Sequence, residues 1–303
     1  MSERTLKRLV GALVVLVGVW LVSMLFSGGS GSISASGEMV DFFDGIDATT
    51  LEAVRMVRGD SAVVLERTGE AWTANGYVAD SASVQRLLDA LPRLVVGDLA
   101  ATNPQNHARM GVSTDSAVAV ELVTGAGSRT VLVGDAGRRF GTAYVRLPGA
   151  DEVYLLDGDL RAEVRRPLDQ WRNRTMVAID TALVVRVEIE KEGDAYALVR
   201  SDSTWTFENG DSVQTNAVRG ILSELSRLVA SGFTEPSDSI SGLERSSTTR
   251  AFGAGGQQLA EITIGAGSGD RWARSSGDDT VYRVSSFRAD RVAPSREDVE
   301  TES

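Results

Sequence analysis

The 303-residue chain has no cysteine, which excludes disulfides, thiol nucleophiles, thiolate metal sites and an acylated lipoprotein cysteine without fixing the compartment. It has a single histidine, His107. A two-histidine metal site or a histidine-dependent triad would have to be built around that residue alone, and its loop, TNPQNHARM, offers no ordered carboxylate partner, so a surface histidine is expected. No basic domain offsets 42 acidic against 31 basic residues, a net charge of -11, which argues against a nucleic-acid partner. So many acids make carboxylate pairs easy to nominate, but none sits in a hydrolase motif. Asp41, Asp44 and Asp47 lack the spacing of a calcium loop. Gly265-Ala266-Gly267-Ser268-Gly269 lacks the Lys-Ser/Thr of a phosphate loop and opens no helix. The residues call for no catalytic group, metal or cofactor.

The longest apolar run is LVGALVVLVGVWLVSMLF at residues 9–26. As a helix it would span about 27 Å against a hydrocarbon core of roughly 30 Å. Arg4, Lys7 and Arg8 precede it and the acidic Glu38 and Asp41 follow. This asymmetry predicts a retained single-pass helix in the inner or cytoplasmic membrane, with the N-terminus in the cytoplasm and the bulk of the chain extracytoplasmic. A cleaved signal peptide is the competing reading, disfavoured by the length of the run. A Gly/Ser-rich tether and a solvated acidic segment are expected over residues 27–47.

The rest is organised by a repeat. Residues 72–95, WTANGYVADSASVQRLLDALPRLV, recur as residues 205–229, WTFENGDSVQTNAVRGILSELSRLV. Each copy is a Trp-Thr strand end, an Asn-Gly turn, a polar helix start and one amphipathic helix. The first apolar face is Val84, Leu87, Leu88, Leu91, Leu94 and Val95. The second is Val218, Ile221, Leu222, Leu225, Leu228 and Val229. Pro92 should kink or end the first helix. Flanking matches keep their order: Gly111-Val112 with Gly242-Leu243, residues 131–134 with 262–265, 144–146 with 272–274, and 153–154 with 281–282. Val185, Val187 and Ile189, alternating with charged residues, read as a one-sided strand. Trp72 and Trp205, equivalent in position beside each helix, are expected to be core residues.

The predicted architecture is α+β: a single N-terminal transmembrane helix followed by two tandem repeats, each an antiparallel β meander packed by an amphipathic helix. The expected boundaries are a cytoplasmic stretch 1–8, the membrane helix 9–26, the linker 27–47, repeats 48–180 and 181–295, and a polar tail 296–303.

The most unusual local composition is RAEVRRPLDQWRNR at residues 161–174, with Arg161, Arg165, Arg166, Arg172 and Arg174 around Trp171. In an acidic chain such a segment is a candidate docking surface for an acidic partner or lipid headgroups. The competing view is a connector whose arginines pair with nearby acids.

The Trp-Thr strand, the SVQRLLDALPRL helix, the Gly-Val or Gly-Leu pivot and the VLVGD, AYVRLPG and EVYLL strands together resemble domain-of-unknown-function family 4340. PLDQWRNRTM, residues 167–176, resembles the segment closing the family's first unit; the second repeat ends instead in VAPSRED. The resemblance implies an envelope protein associated with gliding-motility-type ABC transport systems, with an ABC-type permease among its partners, and it implies no catalytic residues. Together with the anchor, it leads to the expectation of a non-enzymatic, membrane-anchored accessory or scaffold protein. The alternative is an extracytoplasmic carbohydrate-binding module or carboxylate-dependent hydrolase.

Overall fold

A one-residue slip sets the phase of the first strand. In β1 (Leu51–Arg58) the register against its neighbour shifts between Leu51 and Ala53, so that Leu51, Val54 and Met56 all reach the same core. A bulge places two residues opposite one, which reverses the alternation beyond it. The strand containing Val187 and Ile189 has the same slip between Val184 and Arg186. Val184, not Val185, therefore joins Val187 and Ile189 in the second core, correcting the simple alternation expected from sequence.

The computed structural model describes residues 35–234, 245–266, 269–278 and 280–301. The chain divides into two units, Met1–Asn173 and Arg174–Ser303. In the first, β1 is followed by β2 (Ser61–Thr68), β3 (Ala71–Ala74), β4 (Tyr77–Val78), β5 (Val95–Ala101), β6 (Val118–Thr124), β7 (Gly127–Ala136), β8 (Thr142–Arg146) and β9 (Val153–Asp157). These form one antiparallel sheet in the order β4-β3-β2-β1-β6-β7-β8-β9-β5. The second unit begins with β10 (Thr175–Val177) and continues with β11 (Val184–Lys191), β12 (Asp194–Ser201), β13 (Thr204–Phe207), β14 (Leu228–Val229), β15 (Gly232–Phe233), β16 (Arg245–Gly253), β17 (Gln258–Gly265), β18 (Arg271–Ser275) and β19 (Tyr282–Val284). Its main sheet runs β13-β12-β11-β16-β17-β18-β19-β15, and β10 pairs separately with β14. From β3 and β13 onward the two orders agree position for position, and β4 has no counterpart in the second sheet.

A hairpin turn and a helix explain this path in the first unit. Asn75 and Gly76 both take positive φ, 49° and 81°, as a two-residue hairpin turn requires. The Ser81–Ala90 helix then starts at Asp80, whose carboxylate accepts from the Ser83 amide at 2.8 Å. Val84, Leu87 and Leu88 face the core, and Pro92 ends the α-helix in a 3-10 turn. The helix carries the chain from one edge of the sheet to the other, so β5 pairs with β9. The Thr215–Ser226 helix, burying Val218, Ile221 and Leu225, precedes β15 in the same way.

Four expectations are corrected. The class is mostly β-sheet, not α+β, because the helices are few and short. Nor is either unit a plain meander, since two antiparallel runs join where β1 meets β6 and where β11 meets β16. The single-pass reading, and the extracytoplasmic placement built on it, are corrected as well. Among the described residues no helix is long and apolar enough to cross a membrane, and residues 9–26 lie outside them. The longest helix among the described residues, Thr215–Ser226, has 12 residues, about 18 Å, and is amphipathic. Finally, part of the expected tether is folded. Ala35–Phe43 is a helix, and Met39, Phe42, Phe43 and Ile46 are buried in the first core.

Each unit is closed by a C-terminal segment held through its main chain. In the first, the Asp80 amide donates to the Trp171 carbonyl at 2.7 Å and Ala79 bridges Arg172. In the second, the Gln214 amide donates to the Val299 carbonyl at 2.8 Å and Val213 bridges Glu300. The segment from VAPSRED to Glu300 therefore does the work of the arginine-rich segment despite sharing little of its sequence. Its Arg296–Val299 helix opens on a capping box between Ser295 and Asp298, and the Ser295 hydroxyl above all holds the Asp298 carboxyl below the usual carboxylate range. The unfolded chain then binds this proton more readily. The stabilisation is complete above the ordinary aspartate value of about 3.9 and is lost as pH falls through the folded value. Denaturation of Asp298→Asn between pH 6 and 3 should show a smaller acid-side loss of second-unit stability than the parent chain.

Candidate functional site

The arginine-rich stretch follows β9 as the Leu160–Val164 helix and a 3-10 turn at Leu168–Gln170, and its members part company. Trp171 is wholly buried in the first core. Its aromatic bulk is a packing element, so it leaves the docking surface expected of it. Arg172 is buried too, its guanidinium 3.7 Å from the centre of the Tyr77 ring. Arg166 is turned onto Glu163 at 2.8 Å. Arg174 is exposed and belongs to the second unit.

Arg161 and Arg165 remain. They lie one helical turn apart, at i and i+4, and so share a face of the short helix. Arg165 reaches back to β7, donating to the Gly134 carbonyl and to Asp135, both at 3.1 Å. Burial, the charge of Arg161 and that of Arg58 hold the Arg165 guanidinium below its ordinary value, against the opposing pull of Asp135. Arg58, Arg161 and the Asp135 carboxylate therefore all act on the Arg165 guanidinium, and the Asp135 side chain is 52% exposed. Neither Arg58 nor Arg161 has a carboxylate partner among the described residues, and the Arg161 Nε is buried without an acceptor. Arg58, the last residue of β1, was not legible as part of this site. It precedes Arg161 by about a hundred residues in sequence, and only the sheet brings it near.

Among the described residues each buried acid is paired with an arginine. Glu121 on β6 meets Arg55 on β1 at 3.0 Å, Glu163 meets Arg166, and Glu224 on the Thr215–Ser226 helix meets Arg288 at 2.9 Å. Such acids hold structure together, whereas a general acid or base must reach substrate. His107 places a ring nitrogen 2.9 Å from the Asp151 carbonyl oxygen, pinning its loop to the turn before β9. Gly265 ends β17 where a Cβ would collide with the Trp272 indole; packing explains this glycine without a phosphate. Among the described residues no group of three His, Cys, Asp or Glu side chains is arranged to hold a metal ion.

Comparison with known proteins gives one match. A family model described as a domain of unknown function (DUF4340) covers residues 70–245, from the start of the β3 hairpin to the first residue of β16. No curated protein and no solved structure matches the chain. The matched span takes in more than half of the sequence and includes the repeated helix of both units, and on that basis the chain belongs to the DUF4340 family.

Proposed function

We propose that this DUF4340 chain is a non-enzymatic accessory or scaffold protein of an ABC-type transport system, and that the arginine surface of its first unit receives an acidic patch on a partner protein. The observation that carries the reading is the excess of guanidinium over carboxylate at Arg58, Arg161 and Arg165, within a chain whose net charge is -11. Uncompensated like charges held together raise the energy of the free protein, and a carboxylate from outside relieves it with charge-assisted, bidentate hydrogen bonds. Two similarly built units on one chain also favour scaffolding, because the second binding event becomes intramolecular. The family resemblance supports an ABC-type partner, and the charge pattern supports this surface as its docking place.

The test is a gentle-detergent affinity recovery of the full chain, followed by identification of what copurifies. An ABC permease or its ATPase is the expected partner. Arg58→Ala combined with Arg161→Ala should reduce its recovery by about tenfold, as expected for losing one to two charge-assisted contacts, while leaving the melting temperature unchanged. Equal recovery by the double variant would remove the docking surface. Recovery of the chain alone, under conditions that preserve other transporters, would remove the transport role.

A further inference from the structure

The second unit has a groove of about 650 Å³ between β13 and the Thr215–Ser226 helix, a volume typical of small-molecule sites, which run roughly 300–1,000 Å³. Its lining is one indole, Trp205, three aliphatic side chains, Val213, Val218 and Leu222, a single cation, Arg219, and otherwise only serine and threonine. No carboxylate lines it. Trp205 is half-buried, packing against the second core while also lining the groove.

The equivalent hairpin of the first unit is more extensively paired. There β3 and β4 pair at Thr73–Val78 and Ala74–Tyr77, and the Ala79 amide donates to the Trp72 carbonyl at 3.0 Å. Arg172 then covers the Tyr77 ring. In the second unit the pairing shrinks to one isolated bridge, Thr206–Ser212. The positions of Tyr77 and Arg172 are taken by Asp211 and Glu300, so the stacked pair beside the first hairpin has no counterpart. The two units thus share a backbone plan and differ at this place.

We propose that the groove is a binding site for a neutral oligosaccharide, with Trp205 as the stacking surface and the surrounding hydroxyls as its hydrogen-bonding partners. A hydroxyl both donates and accepts, so a lining of serine and threonine suits a ligand whose own groups do the same. An indole offers an apolar face with a polar edge, which fits the C–H face of a sugar ring. The lack of any acid leaves a cationic ligand poorly matched, and eight hydroxyl-bearing residues against the single cation Arg219 favour a polyhydroxylated ligand. Addition of a peptide strand to the β13 edge is the weaker alternative. β13 has four residues, Phe207 already bonds Asp211 at 2.9 Å and Thr206 is bridged, which leaves too short an edge for the main-chain ladder such recognition needs. This site lies in the other unit from the arginine surface and does not depend on it.

Calorimetric titration of the full chain with maltotriose, cellotriose and triacetylchitotriose tests the assignment. Saturable heat with one of them is expected. It should weaken by about tenfold or more in Trp205→Ala and be abolished in Ser223→Tyr, which fills the groove from an exposed helix position and should melt like the parent. Absence of heat with all three up to about 10 mM, well above the millimolar Kd that corresponds to about 4 kcal/mol, would overturn the proposal. So would undiminished binding by Ser223→Tyr, or binding of an uncharged heptapeptide in place of the sugars.

Discussion

Trp171→Ala is expected to destabilise the first unit by about 3–5 kcal/mol, the usual cost of emptying an indole-sized volume in a core that relaxes only in part. Trp171 is wholly buried among the side chains of the first core. Its Nε1 is buried without an acceptor, so its value lies in volume and not in a hydrogen bond. Trp171→Phe should therefore cost much less, about 1.5 kcal/mol or below, as better-matched apolar exchanges do. The Asp80 amide bond to residue 171 survives either change, because it uses the carbonyl. Urea denaturation read by hydrogen exchange of the Ser81–Ala90 helix would separate the two variants. Equal losses from both would mean that the indole N–H matters after all.

Arg146→Ala should cost about 3 kcal/mol, since hydrogen bonds to a charged group contribute about 1.5–3 kcal/mol each and their buried acceptors would be left bare. Arg146 is buried at the end of β8. Its Nε and Nη2 donate to the Val112 carbonyl at 3.0 and 2.9 Å, and its Nη1 to the Ala150 carbonyl at 2.8 Å. Burial pulls the guanidinium below its ordinary value, with Asp151 pulling the other way. The side chain thus spends its charge fastening the loop before β6 to the turn after β8. Arg146→Lys should recover only part of the loss, because an ammonium cannot fork two donors onto one carbonyl while reaching another. Limited trypsinolysis offers a local readout. Cleavage after the exposed Arg109 should accelerate in both variants, and an unchanged rate would show that the loop is held elsewhere.

Much of the local structure could be read from residue types, and most of the topology could not. Alternation located β11, and the Asn75-Gly76 hairpin turn and the capped, amphipathic Ser81–Ala90 helix followed from local rules. β5 went unread because VVGDLAA has neither alternation nor a steady apolar run, and its destination at the far edge depends on the helix carrying it there. The Ala35–Phe43 helix did carry a signal. Met39, Phe42, Phe43 and Ile46 are spaced as one helical face, but their place beside a Gly/Ser stretch made the segment look solvated. Of the arginine cluster, composition revealed Arg161 and Arg165 but gave Arg172 and Trp171 the same standing, because composition does not report which way a side chain turns. Likewise, nothing local marks Val299 as the partner of Trp171. Their equivalence rests on carbonyl oxygens, which every residue has.

The seam between β1 and β6 also sets a timetable. β1 through β4 can zip as successive hairpins as soon as they leave the ribosome, but the other edge of β1 stays open until β6, some sixty residues later, has been made. Pairings between segments so far apart close slowly, and an unpaired strand edge is a template for the wrong neighbour. β11 and β16 repeat the arrangement. During synthesis, then, the chain presents two unguarded edges of closely similar build, one after the other, and a nascent first unit that has not yet closed is exposed to capture by the strands of the second.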